Sequence, residues 1–523
     1  MASLVSPGTS VTIDDQSFYV PAAAPTLPLI FVATQANKKQ TDGITTALGT
    51  AESAVIRTVT SIRQSLELYG LPAFRTDSSG NQLHGDCRNE YGVATLNEFL
   101  RVGNRAYVVR ADVDLADVPT VTVTPATPNF TGTGNGTIGS ITGGSSTVSE
   151  TITVSFSSAT AFSVTGSVSG SIGAGVVGTA FTSNKINFTI TAGSTPFASG
   201  SAFTIVMTVT TGPEPLGVDQ AAKRASVVTA LKAVVNSQQD VRSEVYEYNL
   251  IVCPGYPELA VDMVSLSQEV LDEAFVIGDT PMNMSSADVK AWSNTTARQK
   301  STSIGYWYGN ALTSNLDGKS IVLPSSSVAL KTIAYSDNIS EVWFAPAGVR
   351  NGVVTHVDDV GYVTGTLGTA TAFQSVALNQ GQRDDLYQDF TNINPIVAFP
   401  TRGLLVWGQK TSAVADSAMD RINVSRLLMY IKRALRKAAM PFVFRPNDPI
   451  TRADLKTTVD SFLADIMVKR GLYDFATICN ESNNTPVRID NNQLWIDVAL
   501  KPTKAAEFIY IPITVVNTAD QIH

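Results

Sequence analysis

The sequence is short of the residues that build most active sites and cross-links. Among 523 residues there are three cysteines, Cys87, Cys253 and Cys479, widely separated and odd in number. Neither a disulfide framework nor a zinc ligand set can be assembled from that spacing, and such sparing use fits synthesis in a reducing cytoplasm. Histidine is equally scarce, at His84, His356 and His523. Charged residues make up 16% against 44% hydrophobic, little solvated surface for a chain of this length and a hint of extensive subunit contacts. Basic charge is in deficit: a net charge of −8 and a pI near 5.1 argue against a nucleic-acid binder, which usually carries a basic domain. No stretch approaches the roughly 18 consecutive apolar residues of a membrane-spanning helix. Residues 1–8 lack the basic-then-apolar order of a signal peptide, so a soluble protein made inside a cell is expected.

What is present divides the chain. Several domains are expected, because a single core stops growing at about 250–300 residues. Residues 1–20 read as an extended arm: Val11-Thr12-Ile13 alternates, and Pro7 and Pro21 oppose helix. Residues 21–118 and 213–345 read as one mixed α/β domain. Within it 29–32, 106–110, 248–254 and 275–277 are strand-like, Val93, Leu96, Phe99 and Leu100 have helical spacing, and helices are expected after Ala222 and across 259–275.

Between residues 119 and 212 only Glu150 and Lys185 are charged, and Thr, Ser and Gly exceed half of the residues. Runs such as Thr151-Ile152-Thr153-Val154-Ser155-Phe156 alternate with period two, which reads as an inserted all-β, sandwich-like domain of short strands. The alternative is a low-complexity linker, in which regularly spaced Ile, Val and Phe would have no purpose. Residues 346–504 form a further domain and 505–523 a second arm. The expected fold class is therefore α+β multidomain, with mixed α/β core domains, an all-β insertion and extended strand arms at both ends. The run from Phe508 through Tyr510, Ile513 and Val515 is a hydrophobic strand interrupted by Pro512, which favours an edge position. Such an edge would aggregate unless another sheet takes it up.

Two helices are expected in the C-terminal domain. In the later one Thr451 is the expected cap, Leu455, Val459, Phe462, Leu463 and Ile466 form the apolar stripe, and Gly471 ends it. In the earlier one, about 421–437, Val424, Leu427, Leu428, Ile431, Leu435 and Ala438 fall on one side at 100° per residue. Arg421, Arg426, Lys432, Arg433, Arg436 and Lys437 fall opposite, and no acid occurs from Arg421 through Asn447. A single-sign face on an acidic protein points to an acidic partner, the alternatives being pairing within the chain, with Asp384, Asp385 and Asp389 as candidates, or plain solvation. Only Tyr430 offers the aromatic interleaving of a nucleic-acid surface.

No catalytic constellation emerges. Thr131-Gly132-Thr133-Gly134-Asn135-Gly136 lacks the Lys-Ser/Thr of a phosphate loop. His84-Gly85-Asp86-Cys87 has no third group to orient a thiol–imidazole pair. His356 with Asp358 and Asp359 is poor metal-ligand geometry, since neighbouring side chains on a strand point apart. No catalytic residue, no metal and no cofactor are expected.

One ordered set of segments resembles a known family. Trp343 to Gly348 reads Trp-Phe-Ala-Pro-Ala-Gly. It is followed by Asn392-Ile393-Asn394, Gly403-Leu404-Leu405-Val406-Trp407-Gly408 and Ile422-Asn423-Val424-Ser425-Arg426-Leu427. Phe444-Arg445-Pro446-Asn447-Asp448 and the closing Lys501-Pro502 to Ile509 run, with Glu507-Phe508, complete the order. This resembles the tail sheath proteins of contractile bacteriophages, closely over 341–515, loosely over 21–118 and 213–340, weakly over 1–20 and not in the insertion. Val349-Arg350-Asn351-Gly352 stands where Asn-Arg-Gly is usual, and Arg445 where Glu is common.

The resemblance implies a structural subunit rather than an enzyme. It implies homo-oligomeric hexameric rings stacked helically around a tail tube protein, bounded by baseplate and tail terminator proteins, with no nucleic acid and no membrane insertion. The protein would be a virion component assembled in the bacterial host cytoplasm, with the 346–504 domain facing the tube and the insertion projecting outwards. The basic helix is then expected near the tube. The terminal strands, with Val11, Ile13, Phe508, Tyr510, Ile513 and Val515, are expected to join a neighbour's C-terminal sheet by strand addition. Contraction would drive the tube through the host envelope for genome ejection. A phage-derived injection device (a tailocin) would look the same in sequence. From another class, an adhesin-like module using the 119–212 insertion is the competing expectation.

Overall fold

The computed structural model of the chain describes residues 26–116, 120–212, 220–415 and 417–511. The expected arm at 1–20, with Val11 and Ile13, and the positions Ile513 and Val515 lie outside them. The chain divides into two compact units, Met1–Ala116 with Asp219–His523, and Asp117–Val218.

The first unit is built on an eight-stranded sheet. Its order is Ile56–Val59, Ala106–Asp114, Pro28–Thr34, Leu250–Val252, Phe275–Asp279, Ile304–Tyr308, Ile393–Phe399, Gly403–Val406. The six inner strands are parallel, and the two edge strands pair antiparallel. A parallel strand covered on both faces must be apolar throughout, and all seven residues of Pro28–Thr34 are buried. Alternation then sorts the side chains into two layers. Ile30, Val32, Val108, Leu250, Val252, Phe275, Ile277 and Trp307 pack in one cluster, with the helices Tyr91–Phe99 and Ser325–Ile339. Leu29, Phe31, Tyr107, Val109, Ile251, Val276 and Tyr306 pack in the other, with Gln220–Ser237 and Ala260–Glu269. Sequence periodicity anticipates most of these elements, although Ala222 is exposed rather than core.

The packing does not divide at residue 345. The strand Ile393–Phe399 joins the sheet beside Ile304–Tyr308, with Tyr306 opposite Ile393. Asn394 locks this joint: its buried amide donates to the carbonyls of Tyr306 and Lys410 and accepts from the Lys410 N–H. The hairpin to Gly403–Val406 turns through Gly403, whose φ of +76° suits glycine. At Gly408 a Cβ would lie 2.8 Å from the Tyr387 ring and 3.1 Å from the Asn394 backbone, so this glycine permits close approach. Both ends of the Gly403 to Gly408 motif thus have a steric reason.

A third layer holds the helices Ile422–Ala439 and Pro449–Val468 and the hairpin of Leu472–Ile478 with Asp497–Pro502. Leu427, Ile431, Leu455, Val459, Phe462, Leu463 and Ile466 share a core with Trp343, whose indole N–H donates to the Lys469 carbonyl at 3.2 Å. The cap of the second helix is Asp448, which accepts from the Thr451 N–H at 2.7 Å, with Pro449 at the first position. Thr451 is therefore inside the helix, because an acid before a proline makes the stronger start. At the far end the left-handed residue is Arg470 (φ +65°), not Gly471.

The second unit is all β. Nine strands between Thr120 and Gly212 form a six-stranded and a three-stranded sheet. Ile152, Val154, Phe156, Phe162, Val164, Ile186, Phe188, Ile190, Phe203 and Ile205, drawn from both sheets, form one apolar core.

Candidate functional site

The groups first suspected of chemistry are disarmed by their surroundings. Burial pushes the Cys87 thiol up to about 11, with Asp86 adding to the shift, and Cys253 well above its usual range, so neither is a ready thiolate. His356 is exposed, and no cluster of three or more His, Cys, Asp or Glu able to hold a metal occurs among the described residues. Residues 132–136 follow a strand, not a helix start. In open α/β sheets anions bind where a helix begins at the carboxyl ends of the strands. Here that place is taken by the chain's own Asp279. It accepts from the N–H of Gly255 (2.8 Å) and Ser326 (2.6 Å) and from the hydroxyls of Ser325 and Ser326.

His84 is buried, and burial pulls its imidazole below the ordinary value. A lowered value in the folded state favours the neutral form. Its contribution is therefore complete above the unfolded value of 6.5 and is lost as pH falls through the folded one. Urea unfolding midpoints below pH 6.5 should thus fall more steeply for the native chain than for His84→Gln; equal slopes would show a freely titrating imidazole.

The basic helix corrects an expectation. All six of its cations meet acids of the same chain. Arg421 reaches Glu507 (2.8 Å) and Asp420 (2.9 Å), and Arg426 forms a two-pronged pair with Asp337 at 3.0 and 2.5 Å. Lys432 faces Asp272 at 3.7 Å, Arg436 bonds Glu244 (2.8 Å) and Glu273 (2.9 Å), and Lys437 bonds Glu247 (2.5 Å). Arg433 lies against Glu273 and donates to the Tyr248 carbonyl at 3.1 Å. Lys432, Arg433, Arg436 and Lys437 are thus neutralised by the 244–273 region, 160 to 192 residues away in sequence for Arg433 and Arg436, while Arg421 and Arg426 pair with Asp420, Glu507 and Asp337. The stripe does not present the unpaired basic surface on which a tube-facing role rested. Asp385 and Asp389 instead hold Lys290 and Lys410, and Asp384 accepts from Gln380.

Exposure ranks these pairs. The Lys432 side chain is 50% exposed, so Lys432→Ala should cost less than about 0.5 kcal/mol. Arg433 is 11% exposed, and its loss leaves buried acceptors unmet, so Arg433→Ala should cost about 1–3 kcal/mol. Urea midpoints of the two variants test this order.

The conspicuous unsatisfied surface is the C-terminal hairpin and the segment that follows it. Leu472–Ile478 and Asp497–Pro502 pair only with each other among the described residues, leaving both outer edges open. One face rests on the third core through Phe475, Val498 and Leu500, while Tyr473 and Ile478 are exposed on strand Leu472–Ile478. An open backbone edge is a template for a further strand. After Pro502, Thr503 bonds Gly471 and Glu507 bonds Arg421 and Gln409. Phe508, Ile509, Tyr510 and Ile511 are then 69%, 79%, 87% and 78% exposed. Of the expected strand-exchange residues, Phe508 and Tyr510 thus stand in solvent, in irregular backbone rather than in a strand of their own chain.

Known proteins match this arrangement. Residues 414–516 match the model of the phage tail sheath C-terminal domain. The tail sheath protein of Vibrio phage KVP40 is 35% identical over 185 residues, 35% of this chain and 25% of that protein. The tail sheath protein of Enterobacteria phage T4 is 30% identical over 176 residues, 34% of this chain and 24% of that protein. The chain thus spans about a quarter of the length of these curated relatives. In fold it is similar to the contracted sheath complex of an extracellular contractile injection system, PVC. The TM-score is 0.55 at 14% identity, covering 98% of each chain. The 414–516 region, with its two helices, hairpin and exposed tail, thus matches the phage tail sheath C-terminal domain, and about a third of the chain is similar to curated tail sheath proteins.

Proposed function

We propose that this protein is the sheath subunit of a contractile tail. It polymerises as stacked hexameric rings around a tail tube protein, between baseplate and tail terminator proteins, as part of a virion assembled in the host cytoplasm. Contraction drives the tube through the host envelope for genome ejection. The observation that carries this reading is the open two-stranded hairpin beside an apolar tail that its own chain leaves exposed. A terminal strand of one subunit completes the hairpin sheet of another, so backbone ladders link the subunits. Such ladders persist while the globular parts rotate as rigid bodies into a wider, more buried arrangement. Several kcal/mol per subunit, the burial of about 200 Å² of apolar surface, suffices when many subunits act in series. Likeness in fold to an injection-system sheath supports a second reading, a phage-derived injection device, with the same assembly and no genome to deliver.

The test is negative-stain microscopy of the full chain and of a chain lacking 505–523, each with and without tube protein. Tubes or stacked rings that vanish on deletion support the reading. A full chain that stays monomeric even with tube protein, or a deletion that assembles normally, overturns it.

A further inference from the structure

Thr26 and Glu507, near the two ends of the described chain, are both tied to the start of one helix. At the C-terminal side, Glu507 is the last residue fastened before the exposed Phe508 to Ile511 run. Its carboxylate accepts from Arg421 Nε at 2.8 Å and Gln409 Nε2 at 3.0 Å. At the N-terminal side, Thr26 is the first described residue, and its hydroxyl donates to Asp337. Asp337 is in turn gripped by Arg426, both side chains being 5% exposed. Arg421 immediately precedes the helix Ile422–Ala439 and Arg426 lies in its second turn. Five residues apart, they are separated by about 7.5 Å along the axis.

We propose that the start of this helix is a common clamp for the two arms, in which Arg421 fastens the C-terminal arm through Glu507 and Arg426 fastens the N-terminal arm through Asp337 and Thr26. This rests on the reading that the arms are exchanged between subunits. Its consequence is mechanical. Thr26 is followed by the parallel strand Pro28–Thr34, and Glu507 by only a short span follows the hairpin strand Asp497–Pro502. Without the clamp, tension on either arm would peel that strand from its sheet one hydrogen bond at a time. With it, load entering by one arm passes through Thr26, Asp337, Arg426, a short length of helix, Arg421 and Glu507 to the other. The cations of the first turns therefore serve as internal fasteners.

The clamp is tested with Glu507→Ala and Thr26→Val, each of which releases one root and leaves the buried Arg426–Asp337 pair intact. The native thiols are buried, so a spin label directed to an introduced thiol reports one place. Labels at Ala505→Cys and at Ala24→Cys are read in the monomer. Glu507→Ala should shorten the correlation time of the first label at least about threefold, and Thr26→Val should do so for the second, as anchored segments become free termini. Unchanged mobility overturns the clamp. In assembled sheaths each variant should lower the urea concentration at which the polymer comes apart, and the double variant should fall no further than the weaker single one, because fasteners in series fail at the weaker. Additive losses would mean independent anchors and overturn the shared path. If the native chain never assembles with tube protein, the function reading fails, while the labels still decide the two fastenings.

Discussion

Arg426→Ala is expected to destabilise the protein by about 3–5 kcal/mol, far more than any other single change on the basic helix. The guanidinium meets Asp337 in a two-pronged geometry, and both side chains are 5% exposed. Removing the cation strands a carboxylate in a region water does not reach, with only the Thr26 hydroxyl left to it. The pair itself need not be strongly stabilising, because desolvating two ions opposes most of their attraction. Arg426→Met with Asp337→Leu should therefore recover most of the loss. Urea unfolding followed by tryptophan fluorescence measures this. All five tryptophans lie outside 117–218, so the signal reports the α/β unit alone. A loss below about 1 kcal/mol for Arg426→Ala would mean that water reaches Asp337.

Trp307→Ala should cost about 3–5 kcal/mol by a different route, loss of buried area plus the cavity left behind. Trp307 is the largest of the fully buried side chains. It stands on the parallel strand Ile304–Tyr308, in the layer that also takes Ile422 from the basic helix. Room is tight: a Cβ on Gly305 would lie 3.0 Å from the indole and 3.1 Å from Ile422. Its carbonyl accepts from the hydroxyls of Thr280 and Ser325, so the strand is held at the start of helix Ser325–Ile339. Collapse around the vacancy is restricted from several sides, which keeps the cost near the upper end. Trp307→Phe should be markedly milder. The same urea experiment checks both, and a cost for Trp307→Ala under about 1.5 kcal/mol would show that the layer repacks freely.

Much of the local structure was legible because its cause is local. The continuous apolar run at 28–34 can only be a strand buried on both faces, and the spacing of Leu455, Val459, Phe462, Leu463 and Ile466 can only be one side of a helix. The glycines and asparagines of the family-like segments also have readable purposes once seen, a turn at Gly403, close approach at Gly408, a strand joint at Asn394. The basic helix shows where such reading ends. Its stripe was visible, but the acids that neutralise it were not. Candidates chosen for nearness in sequence, Asp384, Asp385 and Asp389, have other partners, while Glu244, Glu247, Asp272 and Glu273 arrive through the packing of a distant loop. The boundary expected at residue 345 missed for the same reason: pairing of 393–399 with 304–308 leaves no mark in composition.

By itself, the sequence determined the element types, the apolar faces, the poverty in catalytic groups, and the ordered segments shared with tail sheath proteins. These depend on periodicities of two and 3.6 and on side-chain chemistry, which are properties of neighbouring residues. Folding alone settles which charges face each other, which sheet edges stay open among the described residues, and that Thr26 and Glu507 are both tied to the start of one helix. Those are relations between residues brought together by burial of apolar surface, a force without direction that leaves the choice of ionic partners to the final packing.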